Sequence, residues 1–245
     1  MLRQLRSRAE AAELMDDAAA GGAELSEALR QLRLLNRLFF AAAPTLYGVK
    51  RLWRQAGSPA RLSILDIGAG SGDVNRKLLK WADKQGVVLT VTLVDMTEEA
   101  CAEARRLFAG EPRVKVQRGD LFTLSAEGTD IVTGTQFLHH FEKERVPAAV
   151  KSMLKASRLG VVINDIHRHG IAWTAVWVAT RLFPSRYIRN DGPLSVAKGF
   201  RGGDWRQLRD EPGLESLQFA WRPLFRYAVI LRKAAGGNGG ESGGG

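Results

Sequence analysis

Between Ile64 and Asp73 the chain reads Ile-Leu-Asp-Ile-Gly-Ala-Gly-Ser-Gly-Asp, an apolar run that passes into a glycine turn with a carboxylate, Asp66, just ahead of it. Gly68, Gly70 and Gly72 let a backbone turn sharply and approach a ligand where a β-carbon would collide. A dinucleotide fingerprint spaces its glycines G-x-G-x-x-G and leaves room for a pyrophosphate, whereas here the spacing is G-x-G-x-G and Asp73 holds the place of the third glycine. Asp66 would repel a phosphate, so the expected ligand is cationic, with an ammonium and a sulfonium. Downstream, Asp95 closes a second apolar run, Val87 to Val94, at about the distance of the acid that grips ribose hydroxyls in a βαβ unit. An ionised carboxylate only accepts, so it can take both hydroxyl donors at once.

The chain has 4 histidines, His139, His140, His167 and His169, and all fall just past expected strands. In an open α/β sheet ligands bind outside the carboxyl ends of the strands, which puts both pairs at the mouth of a site. Imidazole, with a pKa near about 6.5, is suited to taking a proton from a phenol, which at about 10 is mostly protonated at neutral pH. Asn164 and Asp165 precede the second pair. They are of the type that holds Mg²⁺, but the carboxylate cluster is incomplete, so no metal is expected.

Ile64 to Asp73 resembles motif I of the class I S-adenosylmethionine-dependent methyltransferases, D-x-G-x-G-x-G after the first strand. Asp95 and Gly119-Asp120-Leu121-Phe122 follow at spacings similar to that family's, so the resemblance runs from Ile64 to Asp165. It implies an α/β fold: a Rossmann-like seven-stranded mixed sheet in the order 3-2-1-4-5-7-6, with S-adenosylmethionine as cofactor. The Gly68 to Gly72 turn would receive the methionine part, with Asp66 ordering its surroundings. Asp95 would hold the ribose, Asp120 the adenine amine, and Met96 and Leu121 the two faces of the base. Gln136, after the fourth strand, joins this cofactor set. Phe137-Leu138-His139-His140-Phe141 is similar to the stretch that carries the base in phenolic O-methyltransferases, which makes His139 the expected catalytic base. His140 stands where those enzymes carry Asp. Leu-His-His also occurs in methyltransferases that use no base, so a structural role for one of the pair stays open.

These side chains need strands that end together and helices that cover them. Strands are expected at Arg113 to Gln117, Asp130 to Gly134 and Gly160 to Asp165, and a final hairpin at Leu217 to Trp221 and Arg226 to Leu231. Helices are expected at Val74 to Gln85, at Glu98 to Phe108 and after Val146-Pro147. Residues 1–58 read as a helical lid. Its clearest helix is Glu24 to Phe40, with Gly21-Gly22 setting off an earlier helix and Pro44 ending the run. Asn36 and Arg37 on it are candidates to reach the substrate. Residues 59–235 form the cofactor-binding domain, with a substrate-side insertion at 166–212. That insertion holds the apolar segment Ile171 to Phe183 and a loop from Pro184 to Pro193. His140, His167, His169 and Trp173 complete the candidate substrate set. The Gly236 to Gly245 tail cannot bury apolar surface and is expected to be disordered.

With 245 residues and 45% hydrophobic content the chain can bury a full core. Its 1 cysteine, Cys101, excludes a disulfide framework and fits a reducing cytoplasm. No apolar run reaches the roughly 18 residues of a membrane span, and the start carries no signal-peptide core. The net charge of +10 is spread over both ends rather than clustered. Thr133 to His140 carries neither box of base-modifying methyltransferases, so nucleic acid is not the expected partner. The expected acceptor is a small aromatic or hydrophobic hydroxyl compound. Arg181, Arg186 and Arg189 also suit an acidic acceptor or anionic lipid. Alternatives are C-methylation of a polyketide or quinone ring, an RNA or protein substrate, and a cofactor-binding accessory module without turnover. The sequence leaves the oligomeric state open.

Overall fold

The computed structural model describes residues 5–17, 21–124 and 128–233. Seven strands, β1 (Arg61–Ile67), β2 (Val88–Asp95), β3 (Val114–Arg118), β4 (Thr129–Thr135), β5 (Ser157–Ile166), β6 (Gln218–Arg222) and β7 (Arg226–Arg232), form one sheet in the order β3-β2-β1-β4-β5-β7-β6. The order is the expected one. β1 to β5 pair in parallel, and β7 runs antiparallel against β5 with β6 outside it. Ile64, Ile67, Ile131, Val132 and Val161 to Ile163 are buried, as the strands of a sheet covered on both faces must be.

The described residues form eight α-helices around the sheet: α1 (Gly22–Leu38), α2 (Ala42–Gln55), α3 (Asn75–Gln85), α4 (Glu98–Leu107), α5 (Val146–Ala156), α6 (Gly170–Thr180), α7 (Arg186–Lys198) and α8 (Gly202–Arg209). One layer packs Val49 and Leu52 of α2 and Leu78 of α3 on Ile64, Val91, Val162 and Ile230. The other packs Val150 and Met153 of α5 and Trp205 of α8 on Val132, Ile163 and Val229. α1 buries Leu25, Ala28, Leu29 and Leu35, an i, i+3, i+4 stripe. Glu103 of α4, 1% exposed, accepts from Arg30 and Arg33 of α1 and so ties α1 to α4, which packs on β2 and β3.

The N-terminal region departs from expectation. Where the sequence leads one to expect an earlier helix, residues 5–17 form a largely irregular strap that includes a 3-10 turn at Leu14–Asp16. Pro44 lies in the first turn of α2, where its missing N–H costs nothing, so it begins a helix rather than only ending one. α2 packs on the sheet itself. A β-carbon on its Gly48 would lie 2.4 Å from Val162 Cγ1. The expected loop Pro184 to Pro193 is largely α7, with Pro193 inside it. Tertiary contacts hold this helix against the propensity of its Asn-Asp-Gly-Pro stretch. Asp191 accepts from the Leu14 and Met15 amides of the strap at 2.8 and 2.9 Å, and Gly192 lets α7 approach Thr180 of α6. The expected disordered tail, Gly236 to Gly245, lies outside the described residues.

Candidate active site

The glycine turn leaves β1 with Gly68, Gly70 and Gly72 at φ of 61°, 55° and 71°. Their surroundings differ. A β-carbon would meet Phe137 at 2.2 Å on Gly68 and Leu93 at 2.4 Å on Gly72, so these two glycines serve packing. At Gly70 nothing lies within 4 Å, so this is the point at which a ligand can approach the backbone. Asp66, 2% exposed, accepts from Asn75 Nδ2 and Thr133 Oγ1, both at 2.6 Å. Burial pushes its pKa up to about 6, against the pull of those two donors. Asn75 Nδ2 also donates to Gly72 O. Asp66 therefore acts on the turn through Asn75.

Asp95, half-buried at the end of β2, accepts from Gly70 N at 2.8 Å and from the amide and hydroxyl of Thr97 at 3.1 Å each. The turn and the ribose candidate are thus one hydrogen-bonded unit. Met96 is 64% exposed beside it, whereas Leu121 is 7% exposed and packs into the α5-side core. Asp120 is half-buried and accepts from Phe122 N at 2.9 Å. These residues share the rim where β1, β2 and β3 end. The open backbone at Gly70, acceptor carboxylates at Asp95 and Asp120 and the apolar Met96 suit an adenosyl ligand with a cationic tail.

Gln136, just past β4 with φ of 54°, donates through Nε2 to Asn36 Oδ1 at 2.8 Å, and Asn36 Nδ2 donates to Asp73 Oδ1 at 3.3 Å. Asn36 thus reaches from α1 over the glycine turn. Arg37 is exposed on the outer side of α1.

His139 is 2% exposed. Its Nδ1 lies 2.7 Å from Asp165 Oδ1, and its Nε2 faces Glu13 Oε1 of the strap at 3.6 Å. Asp165, fully buried, keeps its pKa low despite the cost of burial, because His139 and the Ile166 amide favour its charged form. His140 Nδ1 lies 2.8 Å from Asp16 Oδ2. Burial works against its charge, but the Asp16 bond and the nearby Glu13 carboxylate push its pKa up to about 9. Ligand-type atoms of Glu13, His139 and His140 lie within 4.8 Å of one another. Lys198 Nζ stands 3.5 Å from Glu13 Oε1 and 3.8 Å from Asp16 Oδ2, so an ammonium already balances this cluster.

The second histidine pair lies toward the β6–β7 edge. His167 Nδ1 accepts from Trp221 Nε1 at 3.2 Å, and burial followed by the nearby His169 and arginine charges pulls its pKa down to about 4. His169 caps α6 by accepting from Ile171 N and stacks on Phe225 at 4.9 Å. Trp173 packs with Ile166, Val196 and Phe225. Sequence reasoning missed Asn75 and Thr133, the Glu13 and Asp16 strap contacts, and Arg226 beside Gln136.

Residues 64–160 match the family model described as a methyltransferase domain. The curated proteins gave no match. Among solved structures, the plantazolicin methyltransferase BpumL in complex with SAH aligns over 85% of this chain and 90% of its own, at 15% identity and TM-score 0.63. Magnesium protoporphyrin IX methyltransferase (ChlM) from Synechocystis PCC 6803 aligns over 90% and 91%, at 14% identity and TM-score 0.54. The citrinin polyketide synthase CMeT domain aligns over 71% of this chain, at 15% identity and TM-score 0.53, and this chain spans 47% of its length. The glycine turn lies inside the matched segment, so residues 64–160 are similar to a methyltransferase domain and sit in a sheet whose order these solved structures share.

Proposed function

We propose that this protein methylates a small, aromatic or hydrophobic hydroxyl compound. Bound S-adenosylmethionine supplies an electrophilic methyl group already activated by its sulfonium. The protein's own task is to hold and align the partners. Asp95 takes the ribose hydroxyls, Asp120, Met96 and Leu121 take the adenine, and the Gly68 to Gly72 turn, braced by Asp66, takes the methionine part. Gln136 and Asn36 close over that turn.

The observation that carries the oxygen reading is the Asp165–His139 pair, an imidazole fixed by a buried carboxylate beside the rim. His139 serves as base when the strap withdraws Glu13 from Nε2. In this closed arrangement the nitrogen is covered. Trp173, His167 and His169, with Phe225 beside them, offer flat surfaces for a planar acceptor. C-methylation is the second reading, favoured by likeness to the citrinin CMeT domain and to the CurJ carbon methyltransferase. The same neighbours support a place in secondary metabolism.

Among the described residues no helix is long and apolar enough to cross a membrane. α6 nonetheless exposes Ile171 and Val178, with Leu182 just beyond it, beside Arg181 and Arg186. A lipophilic acceptor drawn from an anionic membrane surface fits that face.

The test is a labelled-methyl screen over phenols, quinols, carboxylic acids and structured RNA, with NMR of the product to tell an O-methyl from a C-methyl group. Transfer to phenols that is lost in Asp95→Ala, together with a roughly 10- to 100-fold fall in SAH affinity, supports the assignment. Unchanged SAH affinity in that variant removes Asp95 from the ribose role.

A further inference from the structure

Among the described residues only one nitrogen of the Arg226 guanidinium finds an acceptor: Nη2 donates to Gln136 Oε1 at 3.4 Å. Nε and Nη1 are buried with no protein partner, in a residue only 6% exposed. Asp165 acts on Arg226 through space. The Asp165 oxygens, however, accept from His139 Nδ1, His139 N and Ile166 N. Burial pulls Arg226 down to about 10, against the opposing charge of Asp165, and it stays protonated at neutral pH. A planar fork of donors, charged and largely without acceptors, is an unusual thing to bury, because a buried charge is normally paired and hydrogen-bonded.

Its place in the fold gives that charge a use. Arg226 begins β7 opposite Ile166, the last residue of β5, and so stands on the rim where the parallel strands end. Strand alternation puts it on the face of Ala228 and Ile230, and Ile230 packs with Val49 and Leu52 of α2. The guanidinium therefore lies below the corner where α1 passes into α2. From there the contacts run Arg226 to Gln136 to Asn36 to Asp73, across the rim to the glycine turn.

We propose that Arg226 binds an anionic oxygen of the methyl acceptor, so that the substrate is an acidic compound taken up as its phenolate, enolate or carboxylate. This rests on the methyltransferase reading above and names its substrate class. The corner between α1 and α2 includes Phe40, at φ of 48° and 68% exposed. Lifting the end of α1 there parts Asn36 from Gln136 and Asp73 and uncovers the guanidinium. A cation at this point favours the ionised acceptor, so the acceptor loses its proton more readily on binding.

The test uses the full chain saturated with SAH and needs no turnover. The probes are 4-nitrophenol, whose ionisation is read by its visible absorbance, and benzoate, set against their uncharged counterparts 4-nitroanisole and methyl benzoate. The wild-type protein is expected to bind at least one anion in preference to its uncharged counterpart and, where the phenol binds, to ionise it at a lower pH than in free solution. Arg226→Met is expected to weaken anion binding by about tenfold to a hundredfold, with SAH affinity unchanged. The same variant should melt at a higher temperature, because it removes a buried charge that lacks a partner. Arg226→Lys should retain part of the anion preference. Equal binding of anions and uncharged counterparts, unchanged anion binding in Arg226→Met, or a lower melting temperature for that variant overturns the proposal in favour of a guanidinium that is only structural or hydrated. Failure of the wild-type protein to bind SAH would instead strike the methyltransferase reading, and this inference with it.

Discussion

On the β1–β2 side of the rim several polar groups find partners close by in the chain, since Asp95 takes Thr97 and Asp66 takes Asn75, and the longest reach there is from Asp66 to Thr133, 67 residues away. On the β4–β7 side they reach much farther. Gln136 bonds Asn36, 100 residues away, and Arg8 of the strap bonds the carbonyls of His139 and Lys198, 131 and 190 residues away. The first side is held by the backbone of one crossover, which is what a cofactor common to many enzymes requires. The second is assembled from the strap, α1, α7 and the last hairpin, segments far apart in the chain. Among the described residues, buried atoms without a hydrogen-bond partner occur on both sides, Asn75 Oδ1 on the first and Arg226 Nε and Nη1 on the second. Only on the second side do they belong to a charged group.

The two sides should therefore fail separately. Gly72→Ala is expected to have the largest effect, because it forces a side chain onto a backbone at φ of 71° and into Leu93. Its cost should be about 2–5 kcal/mol of stability, from left-handed strain and overpacking together. Chemical denaturation measures it, and a loss below about 1 kcal/mol would show that the turn is far softer than drawn.

Asp165→Asn comes next and acts on the other side. It should cut turnover on a phenol by about 100-fold or more by freeing His139, while SAH affinity measured by calorimetry stays within error. A pH–rate profile identical to that of the wild type would remove the pair from proton transfer.

The smallest expected effect is on the strap. His140 is raised to about 9 from an ordinary 6.5, so its charge supports the Asp16 contact fully below pH 6.5 and is lost as pH rises through 9. Hydrogen-exchange protection factors, which are corrected for the base-catalysed rise of intrinsic exchange with pH, should fall in residues 5–17 across that window and stay constant at the glycine turn. An equal change in both would mean that the two sides are not independent.

Much of the first side is legible in residue order, since glycine spacing, Asp66 and Asp95 act within one βαβ unit and the physics is local. Even there the distinction between Gly70, open to a ligand, and Gly68 and Gly72, pressed on Phe137 and Leu93, depends on three-dimensional contacts. The second side is less legible. Nothing in residues 5–17 announces that Glu13 will face His139, because topology alone brings them together. α7 read as a loop because Asn190 to Pro193 have turn chemistry, and the Asp191 contacts to the strap outweigh it. Arg226 left one trace: in the alternation Arg226, Ala228, Ile230, a charge occupies the inward register of a buried strand.

Arg226 sits in the last strand and Glu13 in the strap, while Asp165 and His139 lie between them in the chain. That side of the rim is complete only when both outlying segments have docked, whereas the glycine turn and Asp95 lie within one crossover of low sequence separation. The donor's half of the site thus depends on neighbours in the chain, and the acceptor's half on its two extremes.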